Sequence, residues 1–182
     1  MQQNKNSCVI ANEKIDDSKV IKATKIILDL QQELKKYITN GYGPFLAAIY
    51  DTNGNLIARA ANTVIRESCS NNHAEMNAIK LAQEKLGTYD LSPYDLCMYV
   101  TSEPCMMCIG GIMWSGIKEI YYGVSSDMVG KITGFDEGFK PGWFDEFKKR
   151  GIIVYGQIET NAGEKILKDY VAQGHTIYKP KR

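Results

Sequence analysis

Asn53-Gly54 stands between two apolar runs, residues 45–50 and 56–64. That dipeptide in that setting is the strongest short-range signal for a β-hairpin, because both positions tolerate positive φ. The two runs are therefore expected to pair antiparallel. The rest of the chain alternates. Upstream, from a capping Asp17 or Ser18, the residues Val20, Ile27, Leu30, Leu34 and Ile38 recur at helical steps until Gly41, Gly43 and Pro44 stop them. Downstream, a polar loop (66–72) leads to a helical segment from His73 that ends at Gly87. A strand (95–100), a short helix after Pro104 and a strand (119–124) come next. An irregular glycine-rich stretch (123–142), a short helix (143–149), a strand (152–158) and a helix (about 162–173) complete the run. The order α-β-β-α-β-α-β-α-β-α predicts an α/β domain with helices on both faces of one sheet. The hairpin makes the first pair antiparallel and the later βα units favour parallel neighbours. The expectation is a three-layer α/β/α sandwich with a mixed five-stranded sheet. The first 16 residues are read as a loose tail and residues 17–182 as a single domain.

Composition removes several classes. The 182 residues are 44% hydrophobic and 24% charged, which suits a soluble globular domain and argues against disorder. No run approaches the roughly 18 apolar residues of a membrane span. The first fifteen residues lack the apolar core of a signal peptide, so a cytoplasmic protein with no membrane association is expected. Five cysteines without an export signal read as reduced thiols, available to a metal or to catalysis. Net charge is +1, which gives no overall nucleic-acid footprint, although residues 140–182 hold 9 basic and 5 acidic side chains. Those basic residues read as solvated faces and a polar tail.

Two constellations carry chemistry: His73-Ala74-Glu75, and Pro104-Cys105-Met106-Met107-Cys108. Cys105 and Cys108 are three apart, so on a first helical turn their sulfurs face the same way. One imidazole and two thiolates make three zinc ligands with the fourth tetrahedral position free for water, which is the catalytic pattern. Two thiolates weaken zinc as a Lewis acid, and helix N-termini at both ligand sets partly restore it. Glu75 is the candidate to take the water's proton. In a regular helix, residues two apart point in nearly opposite directions. His73 and Glu75 therefore converge only if His73 lies at an irregular helix entry. Either motif alone is weak, but their order, roughly thirty-residue separation and preceding proline match the H-x-E…P-C-x-x-C signature of zinc nucleobase deaminases.

With these motifs the chain resembles the cytidine deaminase-like superfamily, in the branch of guanine deaminases and bacterial tRNA adenosine deaminases. The resemblance covers roughly residues 20–178, through Gly43-Pro44-Phe45, Asn62, His73-Ala74-Glu75, TSEPCMMC, Gly110, Trp114 and Ser115. It implies one zinc ion on His73, Cys105 and Cys108. It also implies Glu75 as the shuttle that carries a proton from water to a substrate ring nitrogen and then to departing ammonia. Gly134-Phe135-Asp136-Glu137-Gly138 looks like the segment whose second acid contacts the guanine edge in guanine deaminases, which places Glu137 in the site. Asn62, Phe45, Ala74 and Trp114 match substrate-binding positions. Without the resemblance, Glu137 is a solvated turn acid, Asn62 a strand-end cap, and Phe45 and Trp114 ordinary core residues. Met106 replaces the inner proline of many relatives. The implied function is hydrolytic deamination of a free purine base, guanine to xanthine plus ammonia, with ammeline-like aminotriazines as further substrates. Deamination of adenosine in tRNA, or of a cytosine-type base, is the alternative. A homodimer is implied as well. Whether the C-terminal segment closes its own site or a partner's stays open.

Overall fold

A computed structural model describes residues 9–179 of the chain. The first long helix, α1 (Asp17–Thr39), buries Ala23, Ile27, Leu30, Leu34 and Ile38 along one stripe. Its cap is Asp16, whose carboxylate accepts the amides of Ser18 and Lys19. That is one residue earlier than the sequence pattern suggests, because the cap must reach amides two and three residues on.

The hairpin joins β2 (Leu46–Tyr50) to β3 (Leu56–Ala61) in antiparallel register, Ala47 opposite Ala60 and Ile49 opposite Ala58. Only Gly54 takes a positive φ, of 86°, and Asn53 does not. The Gly54 amide donates to Asp51 O at 3.1 Å and the Asp51 amide to Asn55 O at 3.0 Å. The loop is thus a three-residue turn with glycine in the left-handed place rather than a two-residue primed turn. The short helix α2 (Val64–Glu67) follows, and then α3 (Ala74–Leu86). Next come β4 (Cys97–Ser102), α4 (Met106–Ser115) and β5 (Glu119–Val124). The chain ends with α5 (Ser126–Thr133), α6 (Trp143–Lys149), β6 (Ile153–Gly156) and α7 (Thr160–Ala172).

The sheet has six strands, not five. Ile10–Ala11 form β1, antiparallel to β6, in the order β1-β6-β5-β4-β2-β3. Asn12 secures this edge: its amide donates to Phe144 O and Ile152 O and accepts the Val154 amide. A two-residue strand is too short to show a period, and it lies inside the stretch 1–16 that the sequence pattern reads as a tail. Residues 1–8, with Cys8, lie outside the described part. The structure also places α5 where an irregular stretch was expected. Ser125 caps it and Gly134, at φ 77°, ends it, although Gly130 interrupts its apolar pattern.

Strand alternation sorts the core into two layers. Ala47, Ile49, Met98, Val100, Ile120, Tyr122 and Val154 face α3, α4 and α6. Leu46, Ala48, Cys97, Tyr99, Tyr121 and Tyr155 face α1 and α7. This is the expected α/β/α arrangement. No described helix is long and apolar enough to cross a membrane.

Candidate active site

Sheet direction gathers the site. Strands β4 and β5 are parallel, β2 runs against β4, and β3 runs against β2. The C-terminal ends of β3, β4 and β5 therefore share one edge with the start of β2. Asn62, Ser102, Val124 and Phe45 all stand at that edge. Helices α3 and α4 begin there too, and open α/β sheets bind ligands at the carboxyl ends of their strands.

His73 is the N-cap of α3, with φ −69° and ψ 156°. Its backbone is extended rather than helical, which removes the two-residue conflict with Glu75 in the first turn. Cys105 caps α4 in the same way, with φ −70° and ψ 171°, and Cys108 sits one turn in. The sulfurs lie 3.5 Å apart, and His73 Nδ1 is 3.4 Å from Cys105 Sγ and 3.6 Å from Cys108 Sγ. Bond lengths to zinc of about 2.3 Å from sulfur and 2.0 Å from nitrogen require donor separations of about 3.5–3.8 Å in a tetrahedron. The three donors fit zinc. Cys69, half-buried upstream, does not join them among the described residues.

The electrostatics agree with a cation site. The Cys105 thiol falls to about 4, because it shares a hydrogen bond with the Cys108 sulfur and the His73 ring stands beside it. Cys108 is driven upward by its hydrogen bond to Cys105 and by burial. Without a cation the pair accommodates one negative charge, and a divalent ion stabilises the second. With Nδ1 turned to the sulfurs, the other ring nitrogen faces the Tyr178 hydroxyl at 3.3 Å. Such a partner on the far ring nitrogen holds a metal-binding histidine in orientation.

A cavity of about 660 Å³ opens beside this cluster. Glu75, Glu137, Asn62, Phe45, Phe135 and Tyr178 are among its walls. Glu75 is 5% exposed, and burial, reinforced by the negative charge of Cys105, pushes its carboxyl up to about 7. Burial likewise pushes Glu137 up to about 8, with Cys105 and Glu75 adding to it. Asn62 is held on two sides: its Oδ1 accepts the Val64 amide at 3.2 Å and its Nδ2 donates to Tyr178 OH at 2.9 Å. Gly43 makes room for it, since a Cβ there would lie 2.7 Å from Asn62 Oδ1. Phe45 meets Phe135 edge-on at 5.4 Å, and Phe135 meets Tyr178 at 5.0 Å.

One expected substrate residue lies elsewhere. Trp114 is 83% exposed and lines a separate surface hollow with Met113 and Arg150. Nine residues after Cys105 on a helix rising about 1.5 Å per residue, it is carried away from the metal-binding end. The Ala74 side chain is fully buried in the core under α3 and does not line the cavity. Conversely, Tyr178 and Phe135 are walls that the sequence pattern does not single out. Of the C-terminal segment, Tyr178 and Lys179 line this chain's own cavity. The segment is anchored by Tyr170 OH donating to Thr176 O at 2.9 Å, whereas His175 stacks on Tyr170 at 4.7 Å and takes no part in the site.

Comparison with known proteins places this geometry. Residues 20–124 match the cytidine and deoxycytidylate deaminase zinc-binding region. The guanine deaminase of Bacillus subtilis is 32% identical over 128 residues, 70% of each chain. The tRNA-specific adenosine deaminase of the same organism is 40% identical over 92 residues, 50% of this chain and 55% of that one. Among solved structures, a guanine deaminase from Nitrosomonas europaea superposes with a TM-score of 0.77 at 36% identity, covering 80% of this chain and 82% of that one. The protein NE0047 in complex with 2,6-diaminopurine gives 0.80 at 34% identity, covering 86% and 85%. The chain is a zinc-dependent hydrolase of the deaminase class, and it belongs to the cytidine and deoxycytidylate deaminase zinc-binding family.

Proposed function

We propose that the protein deaminates a free purine base, converting guanine and water to xanthine and ammonia. The observation that carries this reading is the convergence of two carboxyls, the buried Glu75 and the half-buried Glu137, on one small cavity beside the three metal donors. About 660 Å³ is the size of a small-molecule pocket. The relatives from Bacillus subtilis and Nitrosomonas europaea are guanine deaminases, and NE0047 was solved with 2,6-diaminopurine.

Zinc, held by His73, Cys105 and Cys108, supplies the Lewis acidity that makes water nucleophilic near neutral pH. The chain's own groups do the rest. Glu75 accepts one proton of the attacking water and passes it to the ring nitrogen beside the reacting carbon. It then takes the proton remaining on the added hydroxyl and delivers it to the amine, which departs as ammonia while the carbonyl forms. A carboxyl raised toward neutrality by burial suits both directions of transfer. Glu137 accepts the adjacent N–H donors of the base, and Asn62 fixes the ring's orientation. Phe45 and Phe135 supply the apolar wall. An aminotriazine such as ammeline presents a similar edge and is a second substrate on this reading.

The charge pattern weighs against a polyanionic substrate. Of the basic side chains described after residue 139, Lys140, Lys149, Arg150, Lys165 and Lys168 are already in ion pairs. We also propose a cytoplasmic homodimer, supported by the exposed Trp114 and Met106 on α4; sedimentation at micromolar concentration checks the dimer. The central experiment measures ammonia release from guanine, ammeline, adenine, cytosine, cytidine and a tRNA anticodon stem. Guanine should react fastest. Inert guanine with a reactive tRNA stem overturns the proposal.

A further inference from the structure

The segment that carries Glu137 is held by a buried ion pair with no part in the proton transfers. Glu103 stands just before Pro104-Cys105, and its Oε1 lies 2.9 Å from Lys140 Nζ, with both side chains 12% exposed. The Lys140 ammonium also donates to Pro104 O at 2.7 Å and to Ser126 Oγ. Its three N–H donors are thus all used. The second Glu103 oxygen accepts the Ser126 amide at 2.9 Å, at the start of α5. The ring of Trp143 lies 5.8 Å from the ammonium.

This arrangement brackets Cys105. On one side the Met106 amide donates to Glu137 O at 3.1 Å, and on the other Lys140 grips the Pro104 carbonyl. Residues 137–140 lie across the start of α4, fastened at both ends. Between them Gly138 takes φ 76°, and a Cβ there would stand 3.0 Å from Met106 Cβ. The segment is laid directly on the metal-binding turn. A buried lysine–glutamate pair adds little net stability, because desolvation offsets attraction; what it fixes is geometry.

We propose that Lys140, through its pair with Glu103, is a positioning residue that sets the Glu137 carboxyl at the edge of the bound base. This rests on the reading that Glu137 contacts the base. Lys140 does not line the cavity, whereas Glu137 and its own partner Glu103 do, so Lys140 reaches the bound base only through such neighbours.

The test uses the zinc-loaded full chain as wild type, Lys140→Met, Glu137→Gln and the double variant. Zinc content, 8-azaguanine dissociation constants, and guanine kcat and KM are measured. Lys140→Met should retain one zinc per chain, weaken 8-azaguanine about tenfold and raise the guanine KM by a similar factor. In the Glu137→Gln background the same substitution should change 8-azaguanine binding less than about twofold, because the group it positions is gone. Equal losses in both backgrounds overturn the proposal, and so does loss of zinc in step with affinity, which would place the role at the metal. If Glu137→Gln alone leaves binding unchanged, the base-edge reading itself fails; that result is visible in the single variant and separate from the Lys140 comparison. Should Lys140→Met not fold, Lys140→Met with Glu103→Gln removes both charges and serves in the same two backgrounds.

Discussion

A glutamate stands at each end of β4 and β5, one buried and one partly exposed, with opposite consequences. At the C-terminal end, Glu75 is pushed up to about 7 by burial, with the His73 ring as its main opposing influence. At the N-terminal end, burial works the same way on Glu119, but the Lys19 ammonium at 2.6 Å and the Tyr121 hydroxyl at 2.5 Å outweigh it and hold the carboxyl low. The far end is electrostatically complete within the chain. The metal end is not: two sulfurs, an imidazole and two raised carboxyls converge, and among the described residues neither Glu75 nor Glu137 is in an ion pair with a lysine or arginine. Fold residues satisfy one another, and site residues are left in want of a ligand.

Metal removal breaks this comparison most severely. Chelation should abolish guanine turnover, at least about a thousandfold, and zinc should restore it. The sheet and its far end should stay folded, because the Lys19–Glu119 pair, the stacked rings of Tyr99, Tyr121 and Tyr155 and both core layers do not depend on the metal. A chelated protein that loses its near-ultraviolet signature along with activity would contradict that separation. Next in size, Glu75→Gln should lower kcat by about 10²–10⁴-fold with zinc content unchanged. Turnover within a few-fold of wild type removes Glu75 from the proton path.

How much of this was legible in the sequence follows from where each group sits. His73, Glu75, Cys105 and Cys108 occupy helix starts, where local spacing fixes relative placement, and their geometry is as the motifs predict. The His73–Glu75 conflict resolves because His73 is a cap, the one condition the spacing allowed. The hairpin and the helices of both layers were equally local. What escaped depends on long-range contact. Tyr178 meets Asn62 across 116 residues and His73 across 105, and no periodicity encodes such a meeting. Lys140 and Glu103 are 37 positions apart in sequence and join only through the topology. Strand β1 is two residues long and gave no pattern. Trp114 was placed in the site by likeness alone, and helix rise carries it out.

Tyr178→Phe probes the border between local motif and long-range closure. It keeps the ring packed on Phe135 and removes only the hydroxyl that meets Asn62 and His73. Zinc affinity should fall about tenfold, as when the partner of a ligating histidine is lost. Guanine kcat/KM, measured at saturating zinc, should drop about three- to tenfold. An unchanged zinc affinity would mean that the hydroxyl orients Asn62 alone.

The smallest effect on activity is expected at the far end, and there the sign of a pH dependence can be worked through. Glu119 has a carboxyl pKa lowered by folding, so its stabilisation is present above the ordinary carboxylate range. That stabilisation is lost as pH falls through the lowered folded value. Glu119→Gln removes the charge of a partly buried pair, leaving Lys19 at one-third exposure without its anion and, since the amide keeps one oxygen, one of Lys19 and Tyr121 without its acceptor. At neutral pH the midpoint of thermal unfolding should fall by roughly 2–6 °C, the shift that about 1–2 kcal/mol produces in a chain of this size. The gap to wild type should narrow as the pH is lowered through the carboxylate range, because wild type then loses what the variant never had. Guanine kcat and KM should stay within about twofold. A variant that keeps its melting temperature but loses turnover would show that the two ends of the strands are coupled, and the contrast between a completed end and a receptive one would no longer hold.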